Sequence, residues 1–222
     1  MKRVHLVLTS LSLLVLSALA SAGEEDFVKL FDGGDLSAWH HEGADGIQTE
    51  NITGYVVEDG ILRCGPGGKY LLTPDKYEDF VFRLDYRLPE GGNNGVGIRT
   101  TIPGNPAFDG MEIQLLDDTA EKYNALADYQ YNGSVYGILP AKRGHLKPLG
   151  EWNEMEITAI GSKVKVVLNG TTIVDGDIVE ATKNGPLDKR EHPGLLNETG
   201  HIVLCGHGDP VEFRNIRVKR IK

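Results

Sequence analysis

Beyond residue 25 the apolar positions recur with a period of two, in short runs broken by turn residues. Side chains alternate faces along a strand, so a run of this kind reads as a strand with one face on a core. The plainest case is Val81-Phe82-Arg83-Leu84-Asp85-Tyr86-Arg87-Leu88, with polar residues at 83, 85 and 87. The same reading places strands at 28–31, 55–64, 80–88, 95–101, 111–116, 134–139, 153–160, 163–168, 171–175, 201–205 and 211–221. Turn signals punctuate them: Glu58-Asp59-Gly60, Glu90-Gly91-Gly92, Ile160-Gly161-Ser162, Asn169-Gly170 and Gly208-Asp209-Pro210. Asn169-Gly170 marks the clearest hairpin, because both central residues of a tight two-residue turn require positive φ, which Asn and Gly tolerate. No long helical period follows the first 25 residues. Residues 123–132 admit a helical turn, but Tyr129, Tyr131 and Gly133 favour an irregular loop, and 180–199 reads as a long polar loop with two prolines over one end of the sheets. Short strands, hairpins and 28 glycines together predict an all-β fold, a jelly-roll sandwich of two antiparallel sheets with a groove on one of them.

Two strands break the apolar pattern. In Met111-Glu112-Ile113-Gln114-Leu115-Leu116-Asp117, Glu112 and Gln114 share a face where packing alone supplies no reason for them. Asp117 falls on the other parity, and a one-residue bulge after Gln114 would bring all three together. In Asn93-Asn94-Gly95-Val96-Gly97-Ile98-Arg99 the odd positions read Asn, Gly, Gly, Arg, opposite Val96 and Ile98. Two glycines between an amide and a guanidinium leave backbone open to a closely approaching ligand, or mark a bend.

The first residues change the picture in one respect. Lys2 and Arg3 precede an apolar run from Leu6 to Ala20, then Ala20-Ser21-Ala22 and an acidic stretch. This is the pattern of a signal peptide over 1–22, leaving residues 23–222 as one domain of a secreted or periplasmic protein with no membrane span after cleavage. The net charge of −9 excludes the basic surface that binding a nucleic-acid backbone demands. Cys64 and Cys205 are the two cysteines. In an oxidising compartment they could pair, the alternative being two buried thiols. Their surroundings carry no zinc-ligand spacing.

Several motifs, taken in order, resemble the 3-keto-disaccharide hydrolase domain family. They are Phe31-Asp32-Gly33 with Leu36 and Trp39; Val57-Glu58-Asp59-Gly60-Ile61-Leu62; Tyr77-Glu78-Asp79-Phe80; Gly92-Asn93-Asn94-Gly95-Val96 with Arg99; and the strand from Met111 to Asp117. The second half adds Tyr136-Gly137, Gly150-Glu151-Trp152-Asn153, Leu168-Asn169-Gly170, Gly206-His207-Gly208 and Val211-Glu212-Phe213-Arg214-Asn215-Ile216. The resemblance implies a concanavalin-like jelly roll of the laminin-G-like type. It also implies action on an oxidised saccharide substrate, a glycoside already converted to its 3-keto form by a separate sugar 3-dehydrogenase. Two positions depart from the family's usual residues, Ser at 94 and Gln at 205, where this chain has Asn94 and Cys205.

A 3-keto group acidifies the C2 hydrogen, so removing that proton lets the C1 substituent leave by β-elimination, and water can add to the enone. The reaction needs a base near C2, a donor or cation near the 3-oxygen and an acid near the leaving oxygen. His207, set between two glycines at a strand end, suits the base, with Glu112 as the alternative base or its orienter. Arg99 is the candidate for enolate stabilisation. Asn93, Gln114 and Asp117 are candidate substrate ligands, Asp117 alternatively holding Arg99 or a cation, and Tyr136 and Trp152 are candidate stacking platforms, Trp152 alternatively a core residue. No cofactor is expected, and no compact ligand run for a divalent cation is present. Two other readings stand beside this one. The spacing of Glu112, Gln114 and Asp117 is that of jelly-roll β-glucanases, whose three residues are all acids, and the same groove would serve a carbohydrate-binding domain without catalysis.

Overall fold

A computed structural model describes residues 26–43, 46–48 and 52–222. The signal peptide expected over 1–22 lies outside the described residues. Fourteen strands form among them: β1 (Val28–Phe31), β2 (His40–Gly43), β3 (Gly46–Gln48), β4 (Tyr55–Glu58), β5 (Ile61–Cys64), β6 (Tyr70–Tyr77), β7 (Phe80–Arg87), β8 (Asn93–Thr100), β9 (Met111–Leu116), β10 (Asn153–Ile160), β11 (Lys163–Leu168), β12 (Thr171–Asp177), β13 (Gly200–Cys205) and β14 (Glu212–Arg220). A five-residue helix, α1 (Ile178–Thr182), follows β12, with the Asp177 carboxylate accepting from the Val179 and Glu180 amides at its start. The strands make two antiparallel sheets. One runs β12-β11-β10-β7-β14-β5-β4 with β1 beside β14, and the other runs β3-β2-β6-β13-β8-β9. The fold is the all-β jelly-roll sandwich that the alternation predicts.

Alternate residues build the core between the sheets. Phe80, Phe82, Leu84 and Tyr86 of β7 face Val96 and Ile98 of β8, Ile113 and Leu115 of β9, and Ile202 and Leu204 of β13, all fully or almost fully buried. Each such side chain contributes about 1.5–3 kcal/mol relative to exposure. The Asn169-Gly170 hairpin forms as expected, with φ of 49° and 81°.

Several elements differ from the sequence pattern. Residues 55–64 fold as two strands, because Asp59 and Gly60 take positive φ (51° and 76°) and reverse the chain between β4 and β5. Strand β6 escapes the pattern because Pro74 and three charged or polar neighbours interrupt it. Lys76 faces His201 and Leu72 faces Val203, so β6 carries extra residues in a bulge around Pro74, where no ladder donor is required. The Thr73 hydroxyl accepts from the Ile202 amide (3.1 Å) beside that irregularity. Residues 134–139 form no strand. Val135 bridges Ile113 and then Leu139, and the chain turns at Gly137 (φ 75°).

Candidate active site

Strand β9 pairs with β8 in regular register, from Met111 opposite Ile98 to Leu116 opposite Asn93, so the bulge expected after Gln114 is absent. Glu112, Gln114 and Leu116 therefore share the outer face of the six-stranded sheet, while Ile113 and Leu115 face the core. All six residues of β9 are nonetheless buried, because loops from 101–110, 117–136 and 186–197 cover that outer face. The free edge of β9 is occupied as well: the amides of Gln114, Gly133 and Tyr136 bond to the carbonyls of Ser134, Gln114 and Glu112 at 3.0, 2.7 and 2.8 Å. The two glycines of β8 make room for this layer rather than for a ligand. A Cβ at Gly95 would stand 2.0 Å from Oε1 of Glu112, and one at Gly97 would stand 2.8 Å from the Cβ of Pro106.

The result is a cavity of about 290 Å³ lined by Asn93, Glu112, Gln114, Tyr136, Cys205 and His207 among others. That lies at the small end of ligand pockets, about 300–1,000 Å³. The Nε2 of His207 lies 3.6 Å from Oε1 of Glu112. This is ion-pair range but long for a hydrogen bond, and Oε1 is buried with no bonded partner. The Glu112 carboxylate pushes the His207 imidazole above its ordinary value, burial opposing it and Asp209 adding to it. Asp209 also fixes the turn that carries His207, because its carboxylate accepts from the Asn93 amide (3.0 Å) and so ties that turn to the first residue of β8. Gln114 donates through Nε2 to Oδ1 of Asn93 (2.7 Å). Gln130 donates to the Tyr136 hydroxyl (3.1 Å), which leaves the phenol's own proton free to donate. On the floor the Cys205 thiol is 1% exposed, and burial first, then the Glu112 charge, raise it well above the ordinary thiol value. Position 205 thus faces the cavity, whereas Asn94 is wholly buried on the core side. Both cysteines are free, so the disulfide does not form.

Three expected site residues stand elsewhere. Arg99 has φ of 50°, and the β8–β13 register slips beside it, with Gly97 opposite Val203 but Thr100 opposite His201. The parity that would aim Arg99 into the pocket is lost. Its guanidinium instead joins the two sheets, donating to the Glu78 carbonyl (2.9 Å), the Gly161 carbonyl (2.6 Å) and Asp79 (3.1 Å). Burial lowers its pKa against the opposing pull of Asp79. Asp117 lies just past the end of β9 and accepts from the Gly91 amide (2.8 Å) and from Thr119, a loop-closing role. Burial raises its pKa, but the combined bonds leave it lowered. Trp152 is neither core nor pocket, because its indole packs against the guanidinium groups of Arg87 and Arg214 (4.7 and 4.2 Å to the ring centre) over the larger sheet.

Other residues join the pocket unannounced by any sequence signal: Tyr70, Asn105, Phe108 and Arg190 among them. Burial, then the charges of Cys205 and Glu112, raises Tyr70, so its phenol is a proton donor at neutral pH. The Arg190 guanidinium lies 4.0 Å from the centre of the Phe108 ring. Tyr70 is hidden in the strand that Pro74 disguises, and Arg190 is placed by loop packing that local patterns do not encode.

Chemically, the pocket holds one carboxylate. Among the described residues that line it Glu112 is the sole acid, and its partner is a histidine. Ordinary glycoside hydrolysis uses two carboxylates flanking the scissile bond, about 5–9.5 Å apart. A carboxylate–imidazole pair beside phenols and amides is instead equipped to take a proton from carbon and return one to oxygen. Among the described residues no three His, Cys, Asp or Glu side chains converge to hold a metal ion, and no helix is long and apolar enough to cross a membrane.

Comparison with known proteins is consistent with this geometry. The sequence profile of the 3-keto-alpha-glucoside-1,2-lyase-like domain matches residues 26–219. A 3-keto-disaccharide hydrolase of Bacteroides thetaiotaomicron is 25% identical, over 88% of this chain and 78% of that protein. A crystal structure of a candidate glycosyl hydrolase from Parabacteroides distasonis superposes with a TM-score of 0.74 at 29% identity, covering 88% of this chain and 99% of that one. A second candidate glycosyl hydrolase from the same organism gives 0.75 at 24% identity, over 91% and 97%, a likeness of fold.

Proposed function

The chain belongs to the 3-keto-alpha-glucoside-1,2-lyase-like domain family and is a glycoside hydrolase-type enzyme, and from that membership we propose that it cleaves 3-keto-glycosides by β-elimination followed by hydration. The observation that supports this mechanism over direct glycoside hydrolysis is the single carboxylate of the pocket, paired with His207. In the proposed sequence His207 takes the C2 proton. Its Nε2 faces Glu112, so Nδ1 is the nitrogen left for substrate, and Glu112 orients the ring and stabilises the imidazolium. The C2–H electron pair forms the C1–C2 double bond as the C1–O bond breaks, and a phenol, Tyr70 or Tyr136, protonates the departing oxygen. Water then adds its hydroxyl to C1 and a proton returns to C2, for net hydrolysis. Asn93 and Gln114, bonded to each other at 2.7 Å, hold the sugar hydroxyls.

The substrate must be supplied by an oxidoreductase that converts the C3 hydroxyl of a glycoside to a ketone. The leader pattern at 1–22 extends the proposal to export across a membrane, which N-terminal sequencing of the mature chain from its host would test. For the chemistry, the purified protein is incubated with an aryl 3-keto-glucoside in D2O. Aglycone release with deuterium at C2 of the sugar is the expected result. Release without deuterium would exclude the elimination, and release from the unoxidised glucoside alone would restore direct hydrolysis.

A further inference from the structure

We propose that Arg190 and Phe108 form a leaving-group subsite at the mouth of the pocket, selecting glycosides whose leaving group carries an anionic substituent such as a carboxylate. The inference rests on the reading of the pocket as a 3-keto-glycoside site. The cavity, about 290 Å³, is of a size for one sugar ring, so the group beyond the scissile bond must lie against its rim. At that rim the Arg190 guanidinium lies over the Phe108 ring, its central carbon 4.0 Å from the ring centre. A stacked guanidinium keeps its edge N–H donors for a planar anion.

Arg190 makes no ion pair with any described residue, although acids flank it in sequence. One of these, Asp188, is already engaged. Asp188 is held by His192, whose Nε2 lies 3.1 Å from both carboxylate oxygens, and the two side chains are 5% and 1% exposed. Among the described lining residues the Glu112 carboxylate faces His207, so Arg190 is a guanidinium to which the lining offers no carboxylate partner, in a chain whose net charge is −9. An unpaired cation at the mouth of a pocket in an acidic protein favours an anionic ligand group there.

The segment bearing Arg190 is also fixed in place. His192 bonds through Nδ1 to the Ala107 carbonyl (2.9 Å), the Gly194 amide to the Phe108 carbonyl (2.8 Å), and the Leu187 amide to the Gly137 carbonyl (2.8 Å). Gly137 permits that last approach, since a Cβ there would stand 2.7 Å from Oδ2 of Asp188. The backbone that carries the cation is thus ordered before a ligand arrives, which reduces the cost of binding.

The test uses a matched pair of aryl 3-keto-glucosides, one with a para-carboxylate and one with its methyl ester. Comparing each variant's carboxylate-to-ester ratio of kcat/KM cancels the intrinsic difference between the leaving groups. The ratio is expected to fall about tenfold in Arg190→Gln and to recover in part in Arg190→Lys. Raising salt is expected to shrink the wild-type ratio and leave that of Arg190→Gln unchanged. An equal ratio in wild type and Arg190→Gln, or a loss shared by both substrates, overturns the proposal. Should neither substrate turn over, the function reading fails separately, and calorimetric titration with 4-hydroxybenzoate decides this one. Binding weakened in Arg190→Gln supports the subsite, and identical or absent binding overturns it.

Discussion

The Oε1 atom of Glu112 is a buried carboxylate oxygen without a bonded donor, 3.6 Å from the His207 imidazole. Leaving such a group unpaired costs about 1–3 kcal/mol or more, which a fold tolerates where a ligand or an imidazolium completes it. The sign of the His207 shift follows: the carboxylate favours the charged ring, so its pKa rises, and removing the carboxylate must lower it. NMR titration of the His207 ring is expected to give a midpoint above the model-peptide value of about 6.5, moving down in Glu112→Gln. Because the base must be neutral, the acid limb of kcat/KM should track that midpoint. His207→Ala should cost about 10²–10⁴-fold in kcat, the usual size of a general-base contribution. Arg99 makes the opposite expectation testable. Its three bonds tie the sheets together and none reaches the pocket. Arg99→Met should lower stability by about 3–5 kcal/mol, the cost of breaking a buried pair, read by urea unfolding. The kcat/KM of the folded fraction should be retained, and a large loss there would return Arg99 to the mechanism.

Strands β8 and β9 build the site by a division of labour between large and absent side chains. Glu112 lies across β8 only because residue 95 is glycine. In Gly95→Ala the new methyl would occupy the place of Oε1, forcing the carboxylate away from His207. A misplacement of about 1 Å can cost on the order of 10²-fold. The variant should therefore lose activity by about that factor, with near-native circular dichroism and a lower His207 midpoint. Sequence alternation alone carried this far, because the parity of Glu112 and Gln114 follows from the two-residue period. It misplaced Asp117 because the polar residue after the strand is recruited to cap Gly91 and Thr119, and no bulge intervenes. Arg99 escaped because a positive-φ residue reverses the parity where β8 meets β13, a feature of pairing rather than of local sequence. Tyr70 was hidden by Pro74, which a bulged strand tolerates. Phe108 and Arg190 meet through loops 82 positions apart in the chain, which no periodic signal reports.

Across the molecule, the larger sheet carries its own charge network on the face away from the core, and it sets how the fold responds to acid. Glu212 of β14 bonds to Arg63 of β5 (2.7 Å) and to Arg87 of β7, joining three strands. Burial raises its pKa, but the two guanidinium groups outweigh burial and leave it lowered. A lowered carboxylate stabilises the fold above its unfolded value, about 4.3 for Glu, and that contribution is lost as pH falls through the native value. His201 works in the same direction at milder pH. Burial lowers it, so the unfolded chain binds its proton first, and stability declines as pH falls below about 6.5. His207, raised, opposes this, because its contribution is present on the acid side and is lost as pH rises through its native value. The two histidines therefore offset each other in part, and the carboxylates govern the steep loss in stronger acid. Replacing Glu212 by Gln isolates one of them, leaving Arg63 and Arg87 without their shared acceptor at a cost of about 1.5–3 kcal/mol, the range for hydrogen bonds to charged groups. Urea unfolding of wild type and Glu212→Gln from pH 2 to pH 8 should show that difference constant above about pH 5 and closing as the wild-type carboxylate takes up its proton, since protonated Glu and Gln bind these arginines alike. A difference that persists unchanged into strong acid would mean that the network holds by packing and not by charge.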